Sequence, residues 1–158
     1  MTKKHELLMQ EAIKEAKKAF EHDDVPVGAI IVHKDKIISR ASNQVELLND
    51  PTAHAEMIAI TQATNFLSSK WLSGAVIYIT IEPCSMCAGA LVLARVKEII
   101  FGARDPKTGA CGSVVNIADN KKLNHHIKSV GGILEKDCAG LLQEFFRRQR
   151  RKQAAINN

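Results

Sequence analysis

Apolar residues at 7, 8, 12, 13, 16, 19 and 20 recur at three- and four-residue steps, so residues 4–21 are expected to form an amphipathic helix. Asp23, Asp24 and Pro26 end it. Two β-rich runs, 27–32 and 37–41, flank the polar His33-Lys34-Asp35-Lys36, the pattern of a hairpin. A polar loop from Ser42 to Ala53 precedes a second helix, from His54 to Leu67. The near-continuous apolar run 75–81 has strand length and reads as a central strand covered on both faces. Pro83, whose fixed φ suits a first helical turn, is expected to open a helix through Arg95. That segment is apolar nearly all round, which places it in the core or at a subunit interface. Residues 96–101 read as another strand and 102–113 as a long Gly-rich loop. Gly131-Gly132 punctuates the chain before a short strand or turn. The last helix carries Cys138, Leu141, Leu142, Phe145 and Phe146 on one stripe, which stops where a basic run begins. The order α-β-β-α-β-α-β…α, without repeats or linkers, implies the α/β class: a mixed sheet with helices on its faces, one domain over residues 1–158.

Length and composition narrow the functional classes. A chain of 158 residues with 46% hydrophobic and 25% charged residues can bury a core without disulfide staples. No apolar run approaches the ~20 residues of a membrane span. The N-terminal residues lead into an amphipathic pattern rather than an apolar signal core. These features point to a cytoplasmic protein and away from a secreted or membrane-spanning one. Cys84, Cys87, Cys111 and Cys138 are then expected to be reduced, with Cys111 and Cys138 small buried or loop residues.

The net charge of +5 is unevenly placed. Residues 1–146 carry 17 charges of each sign, whereas Arg147-Arg148-Gln149-Arg150-Arg151-Lys152 adds five cations and no anion. Such a run is either a solvated helix end or a handle for nucleic acid. At 4%, aromatic residues are too scarce for a platform that stacks several bases in a row.

His54-Ala55-Glu56 and Pro83-Cys84-Ser85-Met86-Cys87 carry the chemistry. One imidazole and two thiolates suit a tetrahedral Zn²⁺ with one position left for water. The C-x-x-C spacing puts both sulfurs on the first turn of one helix, and His54 opens another, so two helix dipoles favour thiolate. Glu56, beside a ligand but not needed as one, can take a proton from the water. A thiol–disulfide pair would leave His54-x-Glu56 unexplained, and a closed four-ligand site would need another Cys or His at ligand spacing. Glu82, just before Pro83, is a second carboxylate near the site and is read as structural. His5, His22, His33, His125 and His126 sit in polar settings as bystanders.

H-A-E followed by P-C-x-x-C is the signature of zinc nucleobase deaminases. The resemblance runs along almost the whole chain and narrows to the bacterial tRNA-specific adenosine deaminases. Matching stretches are 25–29, 50–56 and 82–90, which also suit free-base deaminases. The stretches 101–110 and Phe145-Phe146-Arg147 select the tRNA enzymes. The resemblance implies a three-layer α/β/α cytidine-deaminase-like fold, usually a homodimer, with one Zn²⁺ per subunit. It implies a tRNA anticodon stem-loop as partner and conversion of adenosine to inosine at the wobble position of the tRNA for arginine. His54, Cys84 and Cys87 would bind the metal and Glu56 would shuttle protons. Asn43 resembles the residue that hydrogen-bonds the purine, though a turn-capping Asn fits the position as well. Asp105 and Lys107 lie in the loop that flanks the anticodon groove, with Phe145, Phe146, Arg147 and Arg148 beside it. At least one of the two phenylalanine rings is expected to be core packing.

The implied reaction is hydrolytic. Activated water attacks C6 of a flipped-out adenine, Glu56 delivers a proton to N1, and ammonia leaves. A base in a loop opposes extrusion with little pairing energy. The rival enzyme, a deaminase of free bases or nucleosides, has no use for the basic tail. A non-catalytic RNA-binding module with a structural zinc has no use for Glu56.

Overall fold

The computed structural model describes residues 2–158. Helix α1 (Lys3–Glu21) begins at Thr2, whose side chain accepts from the His5 amide, and buries Met9, Ala12, Ile13, Ala16 and Ala19. The buried stripe is turned slightly from the expected one: Met9 is inside and Leu7 is half exposed. Strands β1 (Gly28–His33) and β2 (Lys36–Ser42) form the expected antiparallel hairpin. After them come a short helix α2 (Val45–Leu48), helix α3 (Ala55–Leu67), strand β3 (Val76–Ile81) and helix α4 (Ser85–Leu93). Strand β4 (Glu98–Ala103), strand β5 (Lys128–Val130) and helix α5 (Glu135–Asn157) complete the chain.

The strands order as β2-β1-β3-β4-β5, with β1 antiparallel to both neighbours and β3-β4-β5 parallel, so the mixed sheet is as expected. Period-two alternation splits the core into two layers. Ile31, Ile77, Ile79, Ile99 and Phe101 face α3 and α4, packing with Ala55, Ala59, Leu91 and Val92. Ile30, Val32, Tyr78 and Ile100 face the other way, with Met9, Ala12 and Ile13 of α1 and Cys138 of α5. Helix α1 crosses β1 so closely that a Cβ on Gly28 would lie 2.0 Å from the Ala12 carbonyl oxygen.

Three expectations change. Pro83 stays outside α4, because Cys84 takes the N-cap and the helix starts at Ser85. The expected loop 42–53 contains α2, whose cap comes from a distant residue described below. Strand β5 precedes the glycine pair rather than following it, and Gly131 lets the chain pass the Phe101 ring, which an added Cβ would meet at 2.3 Å. Helix α5 carries the basic run, as expected of a helix end there, and continues to Asn157. Among the described residues, no helix is long and apolar enough to cross a membrane.

Candidate active site

His54 is the N-cap of α3 and Cys84 the N-cap of α4, and neither side chain caps its helix. Both are turned instead toward one point. His54 Nδ1 lies 3.7 Å from Cys84 Sγ and 3.5 Å from Cys87 Sγ, and the three donor atoms fall within 4.8 Å of one another. Tetrahedral bonds of about 2.3 Å to sulfur and about 2.0 Å to nitrogen would space S and N by roughly 3.5 Å. The donor set therefore fits zinc. Among the described residues no fourth His, Cys, Asp or Glu joins the group, and the two thiols are free, not bridged. That leaves a coordination position open.

Proton sharing within the group shows what a cation would relieve. The hydrogen bond with Cys87 pulls the Cys84 thiol down to about 4, with His54 adding to it. Cys87 is pushed up, first by that same bond and then by burial. The contact with Cys84 raises His54 against its burial.

Glu56, in the first turn of α3, is 2% exposed, and its Oε1 has no hydrogen-bond partner. Burial pushes its carboxyl up. Asn43, just past β2, donates from Nδ2 to the Val25 carbonyl at 3.2 Å, while its buried Oδ1 is also unpartnered. Asn43, His54, Glu56 and Cys84 line one cavity of about 340 Å³, a small-molecule volume. Two orphan acceptors thus share that cavity with the metal-ligand set.

A family model for MafB19-like deaminases matches residues 3–150. A Bacillus subtilis (strain 168) protein named tRNA-specific adenosine deaminase is 49% identical over 150 residues, covering 95% of this chain and 93% of that one. An Aquifex aeolicus (strain VF5) protein of the same name is 51% identical over 145 residues, 92% of this chain and 95% of its own. The chain belongs to the tRNA-specific adenosine deaminase family. A structure solved in work on A-to-I editing by tRNA:A34 deaminases at the wobble position of transfer RNA shares its fold. Its TM-score is 0.83 at 40% identity, over 86% of this chain and 99% of that one.

The remaining expected residues of the deaminase divide between two places. Asp105 and Thr108 line the cavity, and Lys107 lines an adjacent groove with Phe146, Gln149, Arg150 and Gln153 of α5. Asp105 is committed to its own turn, accepting from the Lys107 and Thr108 amides and from the Thr108 hydroxyl at 2.7 Å. Two of the expected residues are engaged in packing, as foreseen for at least one of the phenylalanine rings. Phe145 is 4% exposed and stacks edge-on against Phe20 and Phe146. Arg148 donates to the Phe20 carbonyl and to Asp23, with its guanidinium 4.0 Å above the Phe20 ring. Arg147 is paired with Glu144 at 2.7 Å.

Asp24 lines the cavity and was not singled out from the sequence. It is 1% exposed and caps α2 from a distance, accepting from the Glu46 amide at 2.6 Å and the Leu47 amide at 3.2 Å. In the sequence it reads only as the polar end of α1; nothing local pairs it with residues 46 and 47.

Proposed function

We propose that this chain is a zinc-dependent hydrolytic deaminase that converts adenosine to inosine at the wobble position of a tRNA anticodon, that of the tRNA for arginine. The observation that carries this reading is the buried, unpartnered Glu56 Oε1 beside the His54, Cys84 and Cys87 donors, in a cavity sized for one nucleoside. The names of its relatives supply the substrate class.

His54 Nδ1 and the two sulfurs would hold one zinc per subunit. When bound, zinc supplies Lewis-acid activation of water. Glu56 takes a proton from that water and carries it to N1 of the adenine; its raised carboxyl suits a group that alternates between charged and neutral. Asn43 Oδ1 accepts from the purine edge while its Nδ2 stays fixed on Val25. The apolar walls and the 105–108 turn exclude bulk water from C6, and ammonia leaves. Lys107, Phe146, Arg147 and Arg150 hold the flanking nucleotides along the groove between loop and helix, with Arg148 and Phe145 keeping α5 in place. Met86, Ala90 and the 80% exposed Leu93 leave an apolar stripe on α4, which supports a homodimer closed through that helix. The cytoplasm, where tRNA is processed, is the compartment this reading requires.

The test pairs activity with metal content. The protein is incubated with an arginine anticodon stem-loop and, separately, with free adenosine, cytidine and guanine, and ammonia and inosine are measured. Elemental analysis accompanies it. Inosine in the stem-loop with one zinc per chain is expected. Turnover of free bases with an untouched stem-loop would replace this reading with that of a free-base deaminase.

A further inference from the structure

Glu82 lies between the end of β3 and the ligand Cys84, and it is 1% exposed. Its Oε1 accepts from the Asp105 amide at 3.2 Å and from the Ser113 hydroxyl. Its Oε2 accepts from the Cys111 amide at 3.0 Å and the Ser113 amide at 3.1 Å. One buried carboxylate therefore collects four hydrogen bonds from three residues of the 105–113 loop. The same segments are stitched once more along the backbone, where the Ala110 amide donates to the Pro83 carbonyl at 2.8 Å within the bridge that pairs Cys84 with Gly109. Gly109 permits this approach, since a Cβ there would lie 2.5 Å from Glu82 Cδ and from the Asp105 carbonyl oxygen.

This loop has little regular structure of its own, yet it forms the wall shared by the cavity and the α5 groove. Asp105 and Thr108 face one side and Lys107 the other. Besides the backbone contacts and the burial of Cys111 in the core, the Glu82 side chain anchors it to the end of β3.

We propose that Glu82 is a positioning residue, whose carboxylate clamps the 105–113 loop to the metal-ligand segment and thereby sets the wall against which the substrate nucleotide is held. The inference rests on the RNA-deaminase reading above for its substrate, but the clamp itself is a property of the chain.

The substitution Glu82→Gln separates clamping from general support, because it keeps shape and half the acceptors. A backbone N–H cannot turn to accept, whereas the Ser113 hydroxyl can. The remaining side-chain oxygen of the variant therefore settles toward the Cys111 and Ser113 amides, and its NH₂ toward the Ser113 hydroxyl. The Asp105 amide alone is left without an acceptor. Hydrogen exchange at Asp105 should accelerate, and KM for the stem-loop should rise about tenfold to a hundredfold, the cost of one hydrogen bond to a charged group. The kcat should hold, as it does when uniform binding is lost. Zinc content should stay near wild type, and the thermal midpoint should fall by only a few degrees, since one buried hydrogen bond is lost. Ser113→Ala, which leaves Glu82 its three amide donors, should leave KM and Asp105 exchange unchanged.

Unaltered exchange at Asp105, or a fall in kcat at constant KM, overturns the proposal. So does a variant that loses zinc or fails to fold, since Glu82 would then support the metal or the core. If the wild-type protein leaves the stem-loop unreacted, it is the functional reading that fails; amide exchange still judges the clamp.

Discussion

The five cations of residues 147–152 are not equivalent, and salt dependence can separate them. Arg148 and Lys152 both reach Asp23, at 2.8 and 2.9 Å, and Arg147 is paired with Glu144. Among the described residues, Arg150 and Arg151 have no carboxylate within 4.0 Å, and Arg150 lines the groove that holds Phe146 and Lys107. The double substitution Arg150→Ala/Arg151→Ala removes the two unpaired charges and leaves α5 docked. For single-stranded contacts each neutralised phosphate contributes about −0.7 to the slope of log K against log[salt], so the slope should flatten by about 1.4. Between roughly 50 and 200 mM salt, wild type should then lose about sevenfold more affinity than the double variant. Arg148→Ala should behave oppositely. Its guanidinium is held on Asp23 and the Phe20 ring rather than in the groove, so the slope should hold, while loss of the cation–π contact lowers stability by about 1 kcal/mol. The assay is stem-loop affinity by fluorescence anisotropy across a salt series, with a thermal melt of each variant. Parallel lines for wild type and the double variant would show that these arginines touch no phosphate. An Arg148→Ala slope as flat as that of the double variant would refute the division of labour.

Other expectations are simpler. Glu56→Gln should keep its zinc by elemental analysis and lose turnover by at least about 10²–10⁴-fold, the usual contribution of a positioned proton carrier; metal loss would make Glu56 a ligand. With zinc stripped by a chelator at pH 8, a thiol reagent should modify Cys84 quickly. Cys111 and Cys138, both buried and pushed up to about 12 mainly by that burial, should react only on unfolding, so an early count above two thiols per chain contradicts the packing. Gly28→Ala drives a Cβ into the α1 backbone and should destabilise by about 1–3 kcal/mol or more in urea unfolding; a neutral effect would mean that α1 packs further from the sheet than described.

The candidate metal-ligand set is legible because its information is local. His-x-Glu and C-x-x-C at helix starts fix which side chains share a turn, and the structure brings the two turns together as that spacing implies. The phase of α1 was less determined: Leu7 and Met9 are both apolar, and packing against β1 decides which is buried. Features joined across long separations left no local trace. Asp24 caps α2 22 residues away, and Arg148 meets Asp23 across 125. From the sequence the basic run is five like charges; the position of α1's end, with Glu144 one turn earlier on α5, sorts them into paired and free. Strand β5 was misplaced because three residues, one of them Lys128, give too short a pattern to read.

The same contrast between local pattern and distant partner explains why two buried carboxylates beside one cavity do different work. Glu56 and Glu82 are 2% and 1% exposed, and burial pushes both carboxyls upward. At Glu82 four donors from the 105–113 loop outweigh it, holding the carboxyl below its usual range, and each oxygen is saturated. A saturated carboxylate cannot take up a proton without breaking the contacts that order the loop. At Glu56 no donor reaches Oε1, so the upward push prevails and one oxygen remains free to exchange a proton with whatever enters the cavity. Environments that drive two neighbouring carboxyls apart suit them to different roles, and here the proposed roles follow from counting donors. Had the 105–113 loop donated to Glu56 instead, the site would keep the same residues and lose the free oxygen that the proposed proton transfer needs.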